Sequence, residues 1–211
     1  MARGPEDLPP DKRERIIRAA VEEFAERGYE MASTNAITAR AGISKGLLFH
    51  YFGSKRNLYV HALREMVGRE VERFKRARRE LHPDIVERVF QIALYKQKLV
   101  REDPVTARFL ATVLQAPEEV KPEVAALFRE LEGLSAKVRT EGVDTSRFRP
   151  DIDPAKAITL INVCVEGLRN LYAGRVSPEM VDEPGAIEAM MNEVREYLDM
   201  LKFGVYRRDD G

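Results

Sequence analysis

One periodicity governs this chain. Apolar residues return every third or fourth position, and no stretch alternates apolar with polar residues over the length of a strand. Ile16, Ile17, Ala20, Val21, Phe24 and Ala25 set the pattern for a first helix from Asp11 to Gly28. Ser33 or Thr34 caps a second helix reaching about Ala41, and Ser44 caps a third from Lys45 to Tyr51. A long helix opens at Ser54 and runs to about Glu80 through Leu58, Ala62, Met66, Val71 and Phe74. Further helices are predicted near 84–102, 105–115, 122–141, 154–173 and 184–203. They are divided by Pro83, Asp103-Pro104, Pro117, Pro122, the Gly142–Asp153 loop and the Gly174–Pro184 stretch. The fold class that follows is all-α, with about nine helices. Residues 1–53 form a small three-helix head, its first ten residues a Pro-rich disordered arm. Residues 54–211 form a larger helical bundle, and the helix from Ser54 links the two parts.

Charge narrows the function. The chain has 35 basic and 35 acidic residues, so any contact with a polyanion must be local. The acids are unevenly placed: none lies between Met31 and Arg64, a window holding Arg40, Lys45, Lys55, Arg56, Arg64, His50 and His61. A phosphate backbone favours such a segment, because every nearby carboxylate would repel it. The single cysteine, Cys164, excludes an internal disulfide framework and suits a reducing compartment. No apolar run reaches the roughly 18–20 residues that span a bilayer, and Met1–Asp7 lacks the apolar core of a signal peptide. These features predict a cytoplasmic protein. His50, His61 and His82 have no metal-ligand spacing, and no Gly-rich phosphate loop or serine elbow occurs. The expectation is a protein without metal, cofactor or catalytic residues, and not an enzyme.

Within the acid-free window, Ser33 to Phe52 reads as two short helices joined by a sharp turn at Gly42. Helix N-termini at Thr34 and Ser44 present unpaired N–H groups to an anion. Lys45, Gly46 and Leu47 form the first turn of the second short helix, the end that helix-turn-helix proteins set against base edges. Leu48 and Phe52, four apart, are predicted to pack inside the head, which turns Phe49 and His50 outward. Tyr51 has a hydroxyl for a phosphate, Lys55 a positive charge for another, and Arg56 stands beside it. The candidate DNA-binding set is Ser33, Thr34, Ser44, Lys45, Gly46, Leu47, Phe49, His50, Tyr51 and Lys55. The basic end of the long helix, Arg73 to Arg79, fits complementation of a helix dipole better than a second DNA patch.

With Gly28-Tyr29, Ser33-Thr34, Ile37, Ala41-Gly42-Ile43-Ser44, Lys45-Gly46, Phe49-His50-Tyr51-Phe52, Ser54-Lys55 and Leu58 in place, the chain resembles the TetR family of bacterial repressors. The likeness covers about 45 residues, from the first helix into the fourth. It implies a homodimer on a palindromic operator of double-stranded DNA, DNA contact by Thr34, and a bundle that binds a small-molecule effector. Position 49 departs from the pattern, since the family often has Tyr there; Phe49 offers a ring but no hydroxyl.

The bundle is less informative. Phe90, Tyr95, Phe109, Leu110, Val113, Leu114, Phe128 and Leu131 are core residues by spacing, and the resemblance makes them candidate cavity walls. Phe90, Phe109, Val113 and Phe128 are the candidate ligand-binding residues, for an apolar or amphipathic effector. The run Ala157–Leu168 is apolar around most of its helix, so it needs cover on more than one side. Ile158, Ile161 and Val165 on that helix, with Met191, Val194 and Leu198 on the last, are the candidate dimer interface. Asn162 and Glu166 fit an interface, a pocket or a solvent-facing stripe equally well. The function that follows is a homodimeric, ligand-released transcriptional repressor. Its rival is a helical DNA-binding architectural or adaptor protein without ligand control.

Overall fold

The structure, a computed structural model, describes residues 4–77, 81–113, 116–183 and 185–206. Leu114, Arg78, Arg79 and Pro184, to which the sequence assigned roles, lie outside the described residues. Among the described residues ten α-helices follow one another: α1 (Pro10–Met31), α2 (Thr34–Ala41), α3 (Lys45–Phe52), α4 (Lys55–Ala77), α5 (Ile85–Glu102), α6 (Pro104–Thr112), α7 (Lys121–Thr140), α8 (Pro154–Ala173), α9 (Pro178–Asp182) and α10 (Ala186–Val205). Among the described residues there is no strand, only a single bridge between Phe148 and Tyr206. The protein is all-α.

Local chemistry sets the boundaries. Asp84 caps α5 by accepting from the Val86 and Glu87 amides at 2.9 and 3.1 Å. Asp103 and Asp153 cap α6 and α8, each followed by a proline whose missing N–H is not needed in a first turn. Gly42 ends α2 with φ 63° and ψ 43°, a left-handed conformation that side chains with a Cβ resist.

Three elements differ from the sequence reading. The N-terminal segment is not a loose arm from Gly4 on: Pro5–Asp7 form a turn of 3-10 helix and Leu8 is buried in the core, while Glu6, Asp7, Pro9 and Pro10 stay exposed. Apolar burial of one leucine is what anchors this short polar stretch. Helix α1 breaks at Gly28 (φ 66°, ψ 176°), where the sequence ended it, but helical turns resume to Met31, and α9 occupies part of the stretch expected to be a divider.

Two cores hold the molecule. The first gathers α1–α4 with Phe109 and Val113 of the α6 end, and with Ala116, Val120 and Val124 beyond. At its centre the rings of Phe24, Tyr29, Tyr59 and Phe109 meet, with Tyr59 edge-on to Phe24 at 4.9 Å and to Phe109 at 5.5 Å. The second joins Ile85, Val86 and Val89 of α5 to Ile161 of α8, Leu198 and Val205 of α10, Phe148 and Tyr206. Glu87 bridges this core's rim, bidentate to Arg195 at 2.7 and 3.0 Å and paired with Lys202.

Candidate nucleic-acid interface

The recognition segment is built by caps. Ser33, not Thr34, is the N-cap of α2, accepting from the Ala36 amide at 3.4 Å, while Thr34 opens the helix half-exposed. Ser44 caps α3 by accepting from the Leu47 amide at 3.2 Å. Leu48 and Phe52 are buried in the head core, which fixes the rotation of α3. Lys45, Gly46 and His50 are thereby exposed, with Leu47, Phe49 and Tyr51 half-buried beside them. Beyond Gly46, its two chain neighbours and the helix's own backbone, no atom stands within 4 Å of the place a Cβ on Gly46 would take, so the first turn of α3 lies open to an approaching surface. The Lys45 ammonium sits 6.0 Å from the centre of the Phe49 ring, and His50 meets Tyr51 edge-on at 5.0 Å. Lys45 makes no ion pair among the described residues, which leaves its charge available to a polyanion.

The window is acid-free in sequence but not in space. Arg40 pairs with Glu26 at 2.6 Å and lies 3.5 Å from Glu23, both on α1. The Glu23 carboxylate is buried and also accepts the Ser33 amide at 3.0 Å, so it positions the start of α2. Arg56 turns away from α3: its Nε donates to the Glu119 carbonyl at 2.7 Å and its guanidinium pairs with Glu123. Lys55 donates to the carbonyls of Glu30 and Ala32 at 3.0 and 3.1 Å and stands 4.8 Å over the Tyr29 ring. The Tyr29 hydroxyl donates to the Glu119 carboxylate, and burial, then that carboxylate, pushes its pKa up.

At Gly28 the α1 backbone breaks (φ 66°, ψ 176°), and Arg108 of α6 donates to the Ala25 carbonyl at 3.0 Å while pairing with Asp182. Glu23, Arg108 and Glu119 were not singled out by sequence, because each acts on a residue far along the chain.

The candidate ligand residues do not meet in one cavity. Phe109 and Val113 are buried in the head core. Phe90 packs on the second core under the Arg195 guanidinium, 4.9 Å from its ring centre, and Phe128 is exposed. Two concavities of about 370 and 240 Å³ flank α4, and none of the four lines either.

The candidate dimer residues face the chain's own core. Ile161 and Leu198 are 0% exposed, Met191 is buried, and Ile158, Val165 and Val194 pack on the same core. The open apolar face belongs to their neighbours: Leu160, Val163 (63% exposed) and Leu171 of α8, and Met200 and Phe203 (73%) of α10. Asn162 is satisfied within the chain by Arg139 and the Ile158 carbonyl, and Glu166 pairs with Arg169. No helix among the described residues is long and apolar enough to cross a membrane.

A capped, exposed helix with no acid of its own, carried on a closed three-helix head behind a sharp glycine turn, defines a DNA-binding protein of the helix-turn-helix class. Residues 16–62 match the family described as bacterial regulatory proteins, tetR family. The HTH-type transcriptional repressor AcnR of Corynebacterium efficiens is 25% identical over 210 residues, 96% of this chain and 97% of that protein. AcnR of Corynebacterium glutamicum is 39% identical over 66 residues, a match spanning 31% of this chain and only 35% of that relative. The transcriptional regulator FadR of Bacillus subtilis, solved with stearoyl-CoA, has a TM-score of 0.63 at 21% identity over 88% of this chain and 96% of that one, and so shares the fold. Residues 16–62 thus match the DNA-binding head of tetR-family regulators, and the chain along nearly its whole length is similar to such a transcriptional regulator.

Proposed function

We propose that the protein is a homodimeric repressor, released from a palindromic operator by a small apolar or amphipathic effector. The observation that carries the DNA half is the outward face of α3, where Lys45, Gly46 and His50 stand exposed and Ser44 caps the helix pointing at the groove. Lys45 and the first turn of α3 reach base edges, Ser33, Thr34, Ser44 and Tyr51 serve phosphates, and Lys55 anchors the head at the backbone. The second copy seats on the open apolar face of α8 and α10, which a monomer would leave in water. A two-fold axis through that face demands two symmetric half-sites. The effector's differential affinity for two poses of the heads supplies the release. The protein works in the cytoplasm, where its DNA is.

Titration of the purified protein against its own upstream DNA and against random DNA, at two salt concentrations, tests the first half. Selective binding, with Lys45→Ala lowering the slope of log affinity against log salt by about 0.9, is expected. Equal affinity for both DNAs would defeat the reading. Stearoyl-CoA, the ligand of the FadR structure, is the first effector probe. A rise in melting temperature together with release of DNA is expected if acyl chains are the class. The separation of Phe90, Phe109, Val113 and Phe128 favours the rival reading, a DNA-binding protein without ligand control. Under it no apolar probe shifts the melt.

A further inference from the structure

We propose that Glu119 is a positioning residue for DNA binding, holding the head in one pose through Tyr29 and Arg56 from the turn between α6 and α7. This rests on the DNA-binding reading above. Glu119 uses two separate groups on the same two elements. Its carboxylate accepts the Tyr29 hydroxyl at the end of α1, and its carbonyl accepts Arg56 Nε at the start of α4, 2.7 Å away. Glu123, one turn on, takes the same guanidinium.

On its other side the Tyr29 ring lies 4.8 Å beneath the Lys55 ammonium. Three side chains in contact therefore run from the bundle to a basic residue of the DNA face. Glu119 cannot assist by touching DNA, because its charge repels phosphate. It assists by removing orientations of the head that would otherwise be lost on binding, at a cost in affinity. The Tyr29 phenol is protonated at neutral pH and burial raises its pKa further, so the donor persists across the working range of pH. Arg108 adds a third tie from the bundle, on the Ala25 carbonyl just before the Gly28 break.

The test uses the full chain and its own upstream DNA at several salt concentrations. Tyr29→Phe and Glu119→Ala should each weaken binding by about tenfold, the scale of one lost charge-assisted hydrogen bond. The double variant should bind no more weakly than Glu119→Ala, since both changes remove one bond. Glu119→Gln, whose amide oxygen still accepts, should regain most of the affinity. The salt slope should stay at the parent value in all four, unlike that of Lys45→Ala, because no phosphate contact is removed. Tyr29→Phe keeps the ring in its core, so it folds and isolates the bond. Unchanged or tighter binding in Tyr29→Phe and Glu119→Ala, or a lowered slope, would overturn the proposal. A parent protein that does not select its own DNA would instead sink the DNA-binding reading, before any variant is compared.

Discussion

The two cores of this protein are finished to different degrees. The head core closes on itself: α1–α4 cover one another, and the end of α6 fills the remaining side with Phe109 and Val113. What it shows to water is polar and basic at α3. The second core covers only the inner sides of α8 and α10 and leaves Leu160, Val163, Met200 and Phe203 bare. A closed core makes a surface that recognises something charged. An unfinished one makes a surface that must be finished by something apolar. The contrast teaches that the head presents side chains standing off a core that α6 completes, whereas the bundle presents apolar side chains that its own core leaves uncovered.

The comparison breaks most easily at Phe109. Phe109→Ala should destabilise the chain by about 3–5 kcal/mol in urea unfolding, as for other buried rings. It should loosen the head although the residue belongs to a bundle helix, and a head whose amide exchange is untouched would show the two cores to be independent. Next comes the open face. Val163→Glu with Phe203→Glu should leave the monomer's helicity intact, since both side chains are exposed, while sedimentation shifts to a single copy and DNA binding falls at least about tenfold. A double variant that sediments as the parent does would put the partner surface elsewhere.

Glu87 sharpens the comparison on the second core alone. Arg195 first, then Lys202, hold its carboxyl down to about 2 from an ordinary 4.5. A depressed carboxyl stabilises the fold above its ordinary value, and that stability is lost as pH falls from about 4.5 through about 2. Glu87→Gln should therefore cost about 2 kcal/mol at neutral pH, partial exposure discounting the full shift, and the difference from parent should vanish near pH 2. A difference that persists in acid would mean that packing, not charge, is at stake. The smallest effect is at Ser44: Ser44→Ala removes the cap of α3 and should cost about 1 kcal/mol in thermal unfolding.

The head was legible in the sequence because its determinants are local. Ser33, Gly42 and Ser44 act within four residues of themselves, and the burial of Leu48 and Phe52 follows from their spacing. What escaped was set by partners far along the chain. Arg40 and Arg56 look like free cations in a one-dimensional window, yet Glu26 lies 14 residues from the first and Glu123 lies 67 from the second. The open apolar face escaped for another reason. On α8 Leu160 and Ile161 are neighbours and both apolar, so periodicity marks two faces and cannot say which one meets the chain's own core. Cavity walls were the least legible, because the spacing of a cavity wall and of a solid core is the same.

The share of α6 in the head core also decides where this chain can be cut. A fragment ending at residue 53, or a chimera that grafts this head onto another bundle at that point, loses Tyr59, Phe109 and Val113 from the core around Phe24 and Tyr29, and loses Arg108 from the carbonyl of Ala25. The reading head is thus not a detachable cassette. Exchanging it between relatives requires that the facing surface of α6 travel with it, so recognition and its support inherit change together.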